Sequence, residues 1–210
     1  MKELFSRCKW RYLFYTCGHP SDGYYWIRHQ EKGSVPIALI LVALFSLCFS
    51  LNRMYASFVV NPVNPQTVSS LTEFIGVLAL FLILCVGNWS ITCLMDGEGR
   101  FKDIVIAVGY AMLPLIASFA LATAVSQIVA ENEEAFYSLI LMAGIAYAAV
   151  MMLIGIMQAH NYSLGKTLGT LLLTLLAVFI ILFLIMLVFN FISQVITFFE
   201  SIYTELIFRS

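Results

Sequence analysis

Residues 167–199 read TLGTLLLTLLAVFIILFLIMLVFNFISQVITFF, which is 33 consecutive residues without a charged side chain. About 20 apolar helical residues cross a hydrocarbon core about 30 Å thick, so this stretch is long enough to span a bilayer and must tilt or extend into the interface. Its apolar residues are continuous rather than alternating, which excludes a strand of a membrane barrel. Four further uncharged runs of spanning length precede it: Gly33–Asn52, Phe74–Met95, Ile104–Ala130 and Ala135–Gly165.

The composition is that of a membrane protein. Of the 210 residues, 61% are hydrophobic and 11% are charged, and the mean hydropathy is +0.94, whereas soluble domains carry roughly 25% charged residues. We therefore predict an all-α membrane protein, a polytopic bundle of five transmembrane helices. The predicted parts are a cytoplasmic segment 1–34 with an interfacial helix in 1–17, a membrane domain 35–200 with spans at about 35–58, 73–95, 104–129, 135–159 and 167–197, and a short outer tail 201–210.

The positive residues distinguish the two sides of the membrane. Nine of the eleven Lys and Arg residues lie in 1–34, in 96–103 and at Lys166, and the other two are Arg53 and Arg209. Positive residues accumulate on the cytoplasmic side, so we predict a cytoplasmic N-terminus and an outer C-terminus. Because the net charge is −1, we expect no basic surface for nucleic acid.

Small residues recur four apart in the third and fourth runs, a spacing that lets helix backbones approach closely. We predict that these two helices form the centre of the bundle and that the fifth faces lipid. Pro114 lacks a backbone donor and predicts a kink in the third helix, and we expect the Tyr110 hydroxyl or Asn88 to bond the freed carbonyls. The residues predicted to pack helices together are Ala107, Ala111, Ala120, Ala124, Gly144 and Ala148.

The distribution of charges and motifs bears on chemistry. All 11 basic and 12 acidic residues lie outside the five runs, which argues against proton relays and ion-coupled carriers, since these need ionisable groups at membrane depth. No metalloprotease helix, nucleophile elbow or nucleotide-binding loop occurs, so we predict no enzyme and no cofactor. The spacing of Cys8, Cys17, His19, His29 and His160 matches no familiar zinc motif, so we predict no metal site.

Four segments between and beside the runs form a recognisable series. They read HPSDGYYW at 19–26, GEGRFKD at 97–103, GYAMLP at 109–114 and HNYSLGKTL at 160–168. In this order, with five spans, they resemble the Yip domain family of Ypt-interacting membrane proteins over about 19–199. The resemblance implies a five-helix fold, a cytoplasmic N-terminus and a scaffold or adaptor role without catalysis. The short head and its His-Pro-x-Asp-Gly pattern are similar to the bacterial branch, which implies a bacterial cell membrane; a eukaryotic member would lie in the Golgi or endoplasmic reticulum membrane.

We therefore predict a non-enzymatic membrane adaptor or scaffold, an accessory subunit of a membrane complex such as a transporter. Its expected partners are the lipid bilayer and another membrane protein, with a homo-oligomer as a further expectation. Two alternatives stay open: a small carrier or channel that uses the kinked third span, and a membrane-shaping protein. The candidate interaction residues, taken from the segments that carry the resemblance, are His19, Pro20, Asp22, Gly23, Gly97, Gly99, Arg100, Phe101, Gly109, Tyr110, Pro114, His160, Gly165 and Lys166.

Overall fold

The computed structural model describes residues 7–130 and 133–209, and within those ranges it is helical with no strand. Part of the predicted interfacial helix, residues 1–6, lies outside the described residues. The helices are α1 (Arg7–Gly18), α2 (Pro20–Gln30), α3 (Val35–Tyr55), α4 (Ser70–Leu94), α5 (Phe101–Tyr110), α6 (Met112–Ser126), α7 (Glu134–His160) and α8 (Leu164–Arg209), with a short 3-10 turn at Pro65–Thr67.

Five helical units are long and apolar enough to cross a membrane, which confirms the predicted five-span fold. They are α3, α4, α5 with α6, α7 and α8. We call the end of the bundle that carries the loops 95–100 and 161–163 the proximal end, and the end that carries the loop 56–69 the distal end. The chain enters α3 at the proximal end, so successive spans alternate in direction between the two ends.

The third span is broken at Ala111, between α5 and α6. Pro114 explains the break, since it lacks the N–H that would bond the carbonyl of Tyr110. We predicted that the Tyr110 hydroxyl or Asn88 would bond the backbone carbonyls freed by Pro114, and this prediction was wrong. The Tyr110 hydroxyl accepts the Ser34 N–H at 3.2 Å, and the Asn88 amide donates to Thr174. The hydroxyl that does reach this span's backbone comes from α2, as described below.

The centre of the bundle is the third span packed between α3 and α7. Gly144 of α7 lies so close to α6 that a Cβ there would stand 2.0 Å from the Ser118 hydroxyl oxygen. The prediction that Ala120 and Ala124 pack helices together was wrong, because both are exposed and the buried face of α6 is the opposite one, through Ala122. The other residues predicted to pack helices are buried, namely Ala107, Ala111 and Ala148.

The last helix is much longer than a span. At 1.5 Å per residue, the 46 residues of α8 extend about 69 Å. Its Thr167, Thr170 and Thr174 are buried, and the Asn88 amide of α4 bonds Thr174 at 3.1 Å. Beyond residue 181 nearly every side chain is exposed, in keeping with the lipid-facing helix that we predicted. The helix also continues through the residues expected as a short outer tail.

The first two helices form a hairpin that packs lengthwise against α7. The Tyr147 hydroxyl donates to the carbonyl of Cys17, Tyr24 lies against Gly155, and Arg28 donates to the carbonyl of Gln158 at 3.3 Å. These partners are 130 or 131 residues apart in every case. The constant separation means that α2 runs parallel to α7 in one register.

This register sets the depth of the hairpin. Tyr147 lies 13 residues before the end of α7 at His160, a rise of about 20 Å. The turn of the hairpin at Gly18 therefore lies about halfway along a membrane-spanning helix. The N-terminal segment was predicted to lie on the membrane surface; its described part, α1, packs against α2, which in turn packs against α7.

Candidate interaction site

At the proximal end, the loops before α5 and after α7 meet around a buried histidine. His160 is only 1% exposed, and its Nδ1 accepts the backbone N–H of Gly99 at 3.2 Å. A Cβ at Gly97 or Gly99 would stand 2.6 or 2.7 Å from this ring, so only glycine fits at either position. Three of the predicted interaction residues, Gly97, Gly99 and His160, are thus brought together.

Tyr162 completes this contact between loops. Its ring stacks on His160 with centroids 5.3 Å apart, and its hydroxyl donates to the carbonyl of Met95 at 3.0 Å. The Lys166 ammonium lies 4.4 Å from the centroid of the same ring. Tyr162 was part of a quoted segment but was not singled out. Gly165 does not join the cluster, since a Cβ there would meet nothing within 4 Å.

An ionic network joins the hairpin to the start of the third span. Arg100 contacts the carboxylate of Asp103 at 3.0 Å and that of Glu31 at 2.9 Å, and Lys102 contacts Glu31 at 2.8 Å. Hydrogen bonds from Lys102 and then Arg100 lower the pKa of the Glu31 carboxyl below its usual value of 4.5. The network therefore holds the end of α2 against the first turn of α5.

The lowered pKa of Glu31 predicts a pH dependence. A carboxylate whose folded pKa is depressed contributes stability that is present above the unfolded value of 4.5 and is lost as pH falls through the folded pKa. We expect the thermal midpoint of the purified protein to fall on acidification below about pH 4.5, and to fall less steeply in Glu31→Gln. An identical pH profile for both proteins would show that the pair contributes nothing.

Arg28, in the last turn of α2, ties the base of the hairpin to two other elements. Its guanidinium pairs with Glu98 in the loop before α5 and donates to the carbonyl of Gln158 in α7. Sequence reasoning missed the roles of Arg28, Glu31, Glu98 and Asp103. Apart from the local pair Arg100–Asp103, the partners of these residues are about 70 or more positions away, so no local pattern could have indicated them.

The remaining family-motif residues lie at close helix contacts. A Cβ at Gly109 would stand 2.5 Å from that of Ala38, and one at Gly23 would stand 2.7 Å from the Thr16 backbone. The Tyr24 hydroxyl, beside Gly23, donates to the carbonyl of Ala107 at 3.1 Å. This is the bond from α2 to the backbone of the third span, and it locks the hairpin against the centre of the bundle. Phe101 is exposed at the start of α5, with its ring against Trp89.

Removal of this hydroxyl provides a test of the lock. We expect Tyr24→Phe to lower the free energy of unfolding by about 1–2 kcal/mol, because a buried hydrogen bond is lost and the ring is kept. Tyr25→Phe is the matched control, since Tyr25 is 43% exposed. Chemical unfolding of both variants in the same detergent measures the difference. Equal stability of the two would mean that Tyr24 does not hold the hairpin.

The turn of the hairpin is a second, separate group of predicted residues. His19, Ser21 and Asp22 are exposed and Pro20 is half-buried. Asp22 forms no ion pair with a side chain of residues 7–130 or 133–209. The outer surface of the same hairpin carries large exposed rings, which are those of Phe14, Tyr15, Tyr25 and Trp26.

The register with α7 places this turn beside the proximal half of a helix long enough to span the membrane. By the offset of 130 residues, Asp22 lies opposite Met152 and His19 opposite Ala149. Met152 is eight residues from the end of α7, or about 12 Å along the helix axis. The exposed aromatic rings fit a hairpin that contacts lipid near the interface. Asp22 lies outside the five uncharged runs, but the hairpin brings it beside α7.

The two groups of residues differ in exposure and in chemistry. Three side chains suited to hold a metal ion do not come together anywhere in the described ranges 7–130 and 133–209. At the proximal end, His160 Nδ1 and the Tyr162 hydroxyl are bonded to the loop before α5, although His160 Nε2 has no hydrogen-bond partner among the described residues. The side chains of the turn are exposed. The exposed polar groups at the turn are the Asp22 carboxylate, the His19 imidazole and the Ser21 hydroxyl.

Comparison with known proteins agrees with the resemblance drawn from the four segments. The model of the Yip1 domain matches residues 16–188. The match begins just before the turn of the hairpin and ends within α8, so it includes both groups of residues described above. No curated protein and no solved structure matches the chain.

Proposed function

Because this chain belongs to the Yip1 domain family and is a multi-pass membrane protein, we propose that it is a non-enzymatic adaptor that binds another membrane protein. It acts as an accessory subunit of a membrane complex such as a transporter. We place it in a bacterial cell membrane with its proximal end in the cytoplasm, in line with the His-Pro-x-Asp-Gly pattern at 19–23 and with the positive residues that the sequence gathers in 1–34, in 96–103 and at Lys166.

The observation that carries this proposal is the exposed, charged turn of the hairpin beside the membrane-spanning helix α7. A carboxylate in hydrocarbon costs about 2.5–3.5 kcal/mol even on the most lenient scale. Lipid alone is a poor surrounding for Asp22, and the side chains of the described bundle leave it uncovered. A partner helix with a lysine, arginine or amide facing Asp22 removes this cost, since polar side chains join helices within membranes.

The support of the turn favours recognition rather than loose attachment. The hairpin is bonded to the third span through Tyr24, to α7 through Arg28, and to α5 through Glu31. A surface held by several such bonds is ordered before its partner arrives, so binding loses little conformational entropy. The ion pairs Arg28–Glu98 and Arg100–Glu31 at the proximal end thus fix the base of the hairpin that carries the turn.

Site-specific crosslinking tests the proposal. A photoreactive residue at Ser21, beside Asp22 on the exposed turn, is activated in native membranes. The matched control carries it at Leu172, a lipid-facing position on α8 that is 70% exposed. We expect a protein adduct of one mass from Ser21 and none from Leu172, and loss of the adduct when Asp22→Lys is added. Adducts with lipid or with a second copy alone would contradict an adaptor that binds another protein.

The same carboxylate also favours the carrier alternative, since coupled carriers use ionisable groups at membrane depth. The two functions differ in what the purified protein does alone. Substrate or proton flux through liposomes that contain only this chain, abolished by Asp22→Asn, would favour a carrier. An adaptor produces no such flux, and Asp22→Asn then alters only complex formation.

A further inference from the structure

At the base of the hairpin, α1 and α2 enclose a pocket of about 360 Å³. Among the described residues, two cations and three aromatic rings line it, and no carboxylate does. The lining residues are Arg11, Tyr12, Tyr15, Trp26 and Lys32.

The charge of this pocket is not neutralised by the described residues. At the same end of the bundle, Arg28, Arg100 and Lys102 each pair with a carboxylate. Arg11 and Lys32 form no ion pair with any carboxylate in 7–130 or 133–209. The pocket is therefore lined by two positive charges that no described carboxylate pairs with.

The aromatic rings hold one of these cations in place. The Lys32 ammonium lies 5.0 Å from the ring centroid of Trp26 and 5.4 Å from that of Tyr12, both within cation–π range. The Tyr12 hydroxyl donates to the carbonyl of Gly23 at 3.0 Å. Burial and the charges of Tyr15 and Asp22 raise the pKa of Tyr12 to about 12, so this ring stays neutral and adds no negative charge to the pocket.

The register with α7 places the pocket at the membrane surface. By the offset of 130 residues, Trp26 lies opposite Ile156, near the end of α7, and Lys32 comes shortly before the first residue of α3. This is the level of lipid headgroups at the proximal end. On the same hairpin the rings of Trp26 and Tyr15 are 37% and 43% exposed, and tryptophan and tyrosine favour this level of a bilayer.

We propose that this pocket binds the headgroup phosphate of an anionic phospholipid in the leaflet at the proximal end. Arg11 and Lys32 contact the phosphate, since a guanidinium and an ammonium are the side chains that proteins use for this group. The half-exposed rings of Trp26 and Tyr15 contact the glycerol and the first acyl carbons. The bound lipid stabilises the base of the hairpin, and its binding does not depend on the partner proposed for the turn.

Lipid titration of the purified chain, followed by native mass spectrometry, tests the site. The probes are phosphatidylglycerol, zwitterionic phosphatidylcholine and soluble glycerol phosphate. Lys32→Gln is compared with Lys166→Gln, because Lys166 also lies over a tyrosine ring at the proximal end. A surface lysine contributes about 1 kcal/mol to anionic lipid binding, which is about a fivefold change in affinity. We expect the affinity for phosphatidylglycerol to fall about fivefold in Lys32→Gln and to fall further in the double variant that combines Arg11→Gln with Lys32→Gln. Lys166→Gln should leave this affinity unchanged.

Three results would overturn the lipid site. These are equal affinity for the anionic and zwitterionic lipids, equal losses for the two lysine variants, and no loss in the double variant. Glycerol phosphate binding as tightly as the lipid would assign the site to a soluble anion instead. Unchanged thermal midpoints confirm that the variants are folded. The titration contains no partner protein, so its result is independent of the crosslinking result from Ser21.

Discussion

Replacing Gly109 by valine is expected to destabilise the bundle by about 3 kcal/mol, the upper part of the range for overpacked sites. A Cβ at this position would stand 2.5 Å from the Cβ of Ala38 and 3.0 Å from its Cα. The second distance involves backbone, so no side-chain rotation relieves the collision. α3 and α5 must then separate, and the bond from Ser34 to Tyr110 is strained with them.

Gly76→Val is the matched control for this substitution. Gly76 also lies inside a membrane-spanning helix, and a Cβ there would meet nothing within 4 Å. Both variants carry the same change in helix propensity, so their difference isolates the packing of Gly109. Thermal unfolding in detergent, with size exclusion to detect aggregation, measures it. Equal midpoints for the two variants would contradict the close approach of α3 and α5.

Reversing the charge of Asp22 is expected to have the largest effect on function. Loss of one partner from a desolvated charge pair costs about 2–5 kcal/mol, which is on the order of a hundredfold or more in affinity. We expect Asp22→Lys to abolish recovery of the partner complex, and Asp22→Asn to weaken it by less, because the amide still forms hydrogen bonds. Affinity purification from native membranes with quantitative mass spectrometry measures both.

Ser21→Ala is the control for the charge reversal, since it changes a neighbouring exposed side chain without changing charge. It should leave recovery of the complex close to that of the parent chain. The folded state of Asp22→Lys is checked by its thermal midpoint, which should not fall, because Asp22 forms no ion pair within the described part of the chain. Full recovery of the complex with Asp22→Lys would remove the turn as the docking site.

The spans were predictable because a bilayer imposes one rule on every residue within it. Uncharged runs of sufficient length form helices there, since each backbone group must be bonded within its own segment. The break near Pro114 followed from the chemistry of one residue. The faces of the helices were harder to predict. The spacing of Ala120 and Ala124 matched a packing motif as well as Ala107 and Ala111 did, but only the second pair is buried.

The hairpin was not predictable from local pattern. Its two helices are short, and they mix charged residues with aromatic ones. A sequence rule for spans rejects such helices, and α2 lies along the bundle because α7 provides contacts for it. Those bonds join residues 130 positions apart, a distance at which a single sequence has no visible periodicity. Gly23 and Asp22 were predicted as motif residues, but their position alongside α7 was not predicted.

The contacts between the two loops at the proximal end were also not predictable from local pattern. Gly97, Gly99 and His160 were predicted as separate motif residues, and their contact depends on two loops that are about 60 positions apart. Tyr162 lay within the quoted segment, and a ring stacked on His160 can be recognised only once the loop is folded. Sequence patterns therefore located the segments, whereas the fold decides which of their residues meet.

The depth of the hairpin turn is the central claim, and a spin label measures it most directly. The label is placed at Ser21 in a cysteine-free background and reconstituted in liposomes, with labels at Ser163 and Ile145 as references for the proximal surface and for the middle of α7. Collision rates with oxygen and with a water-soluble nickel complex give the depth of each label. We predict that the Ser21 label lies about 10 Å or more below the Ser163 label. A Ser21 label at the depth of Ser163 would contradict the account.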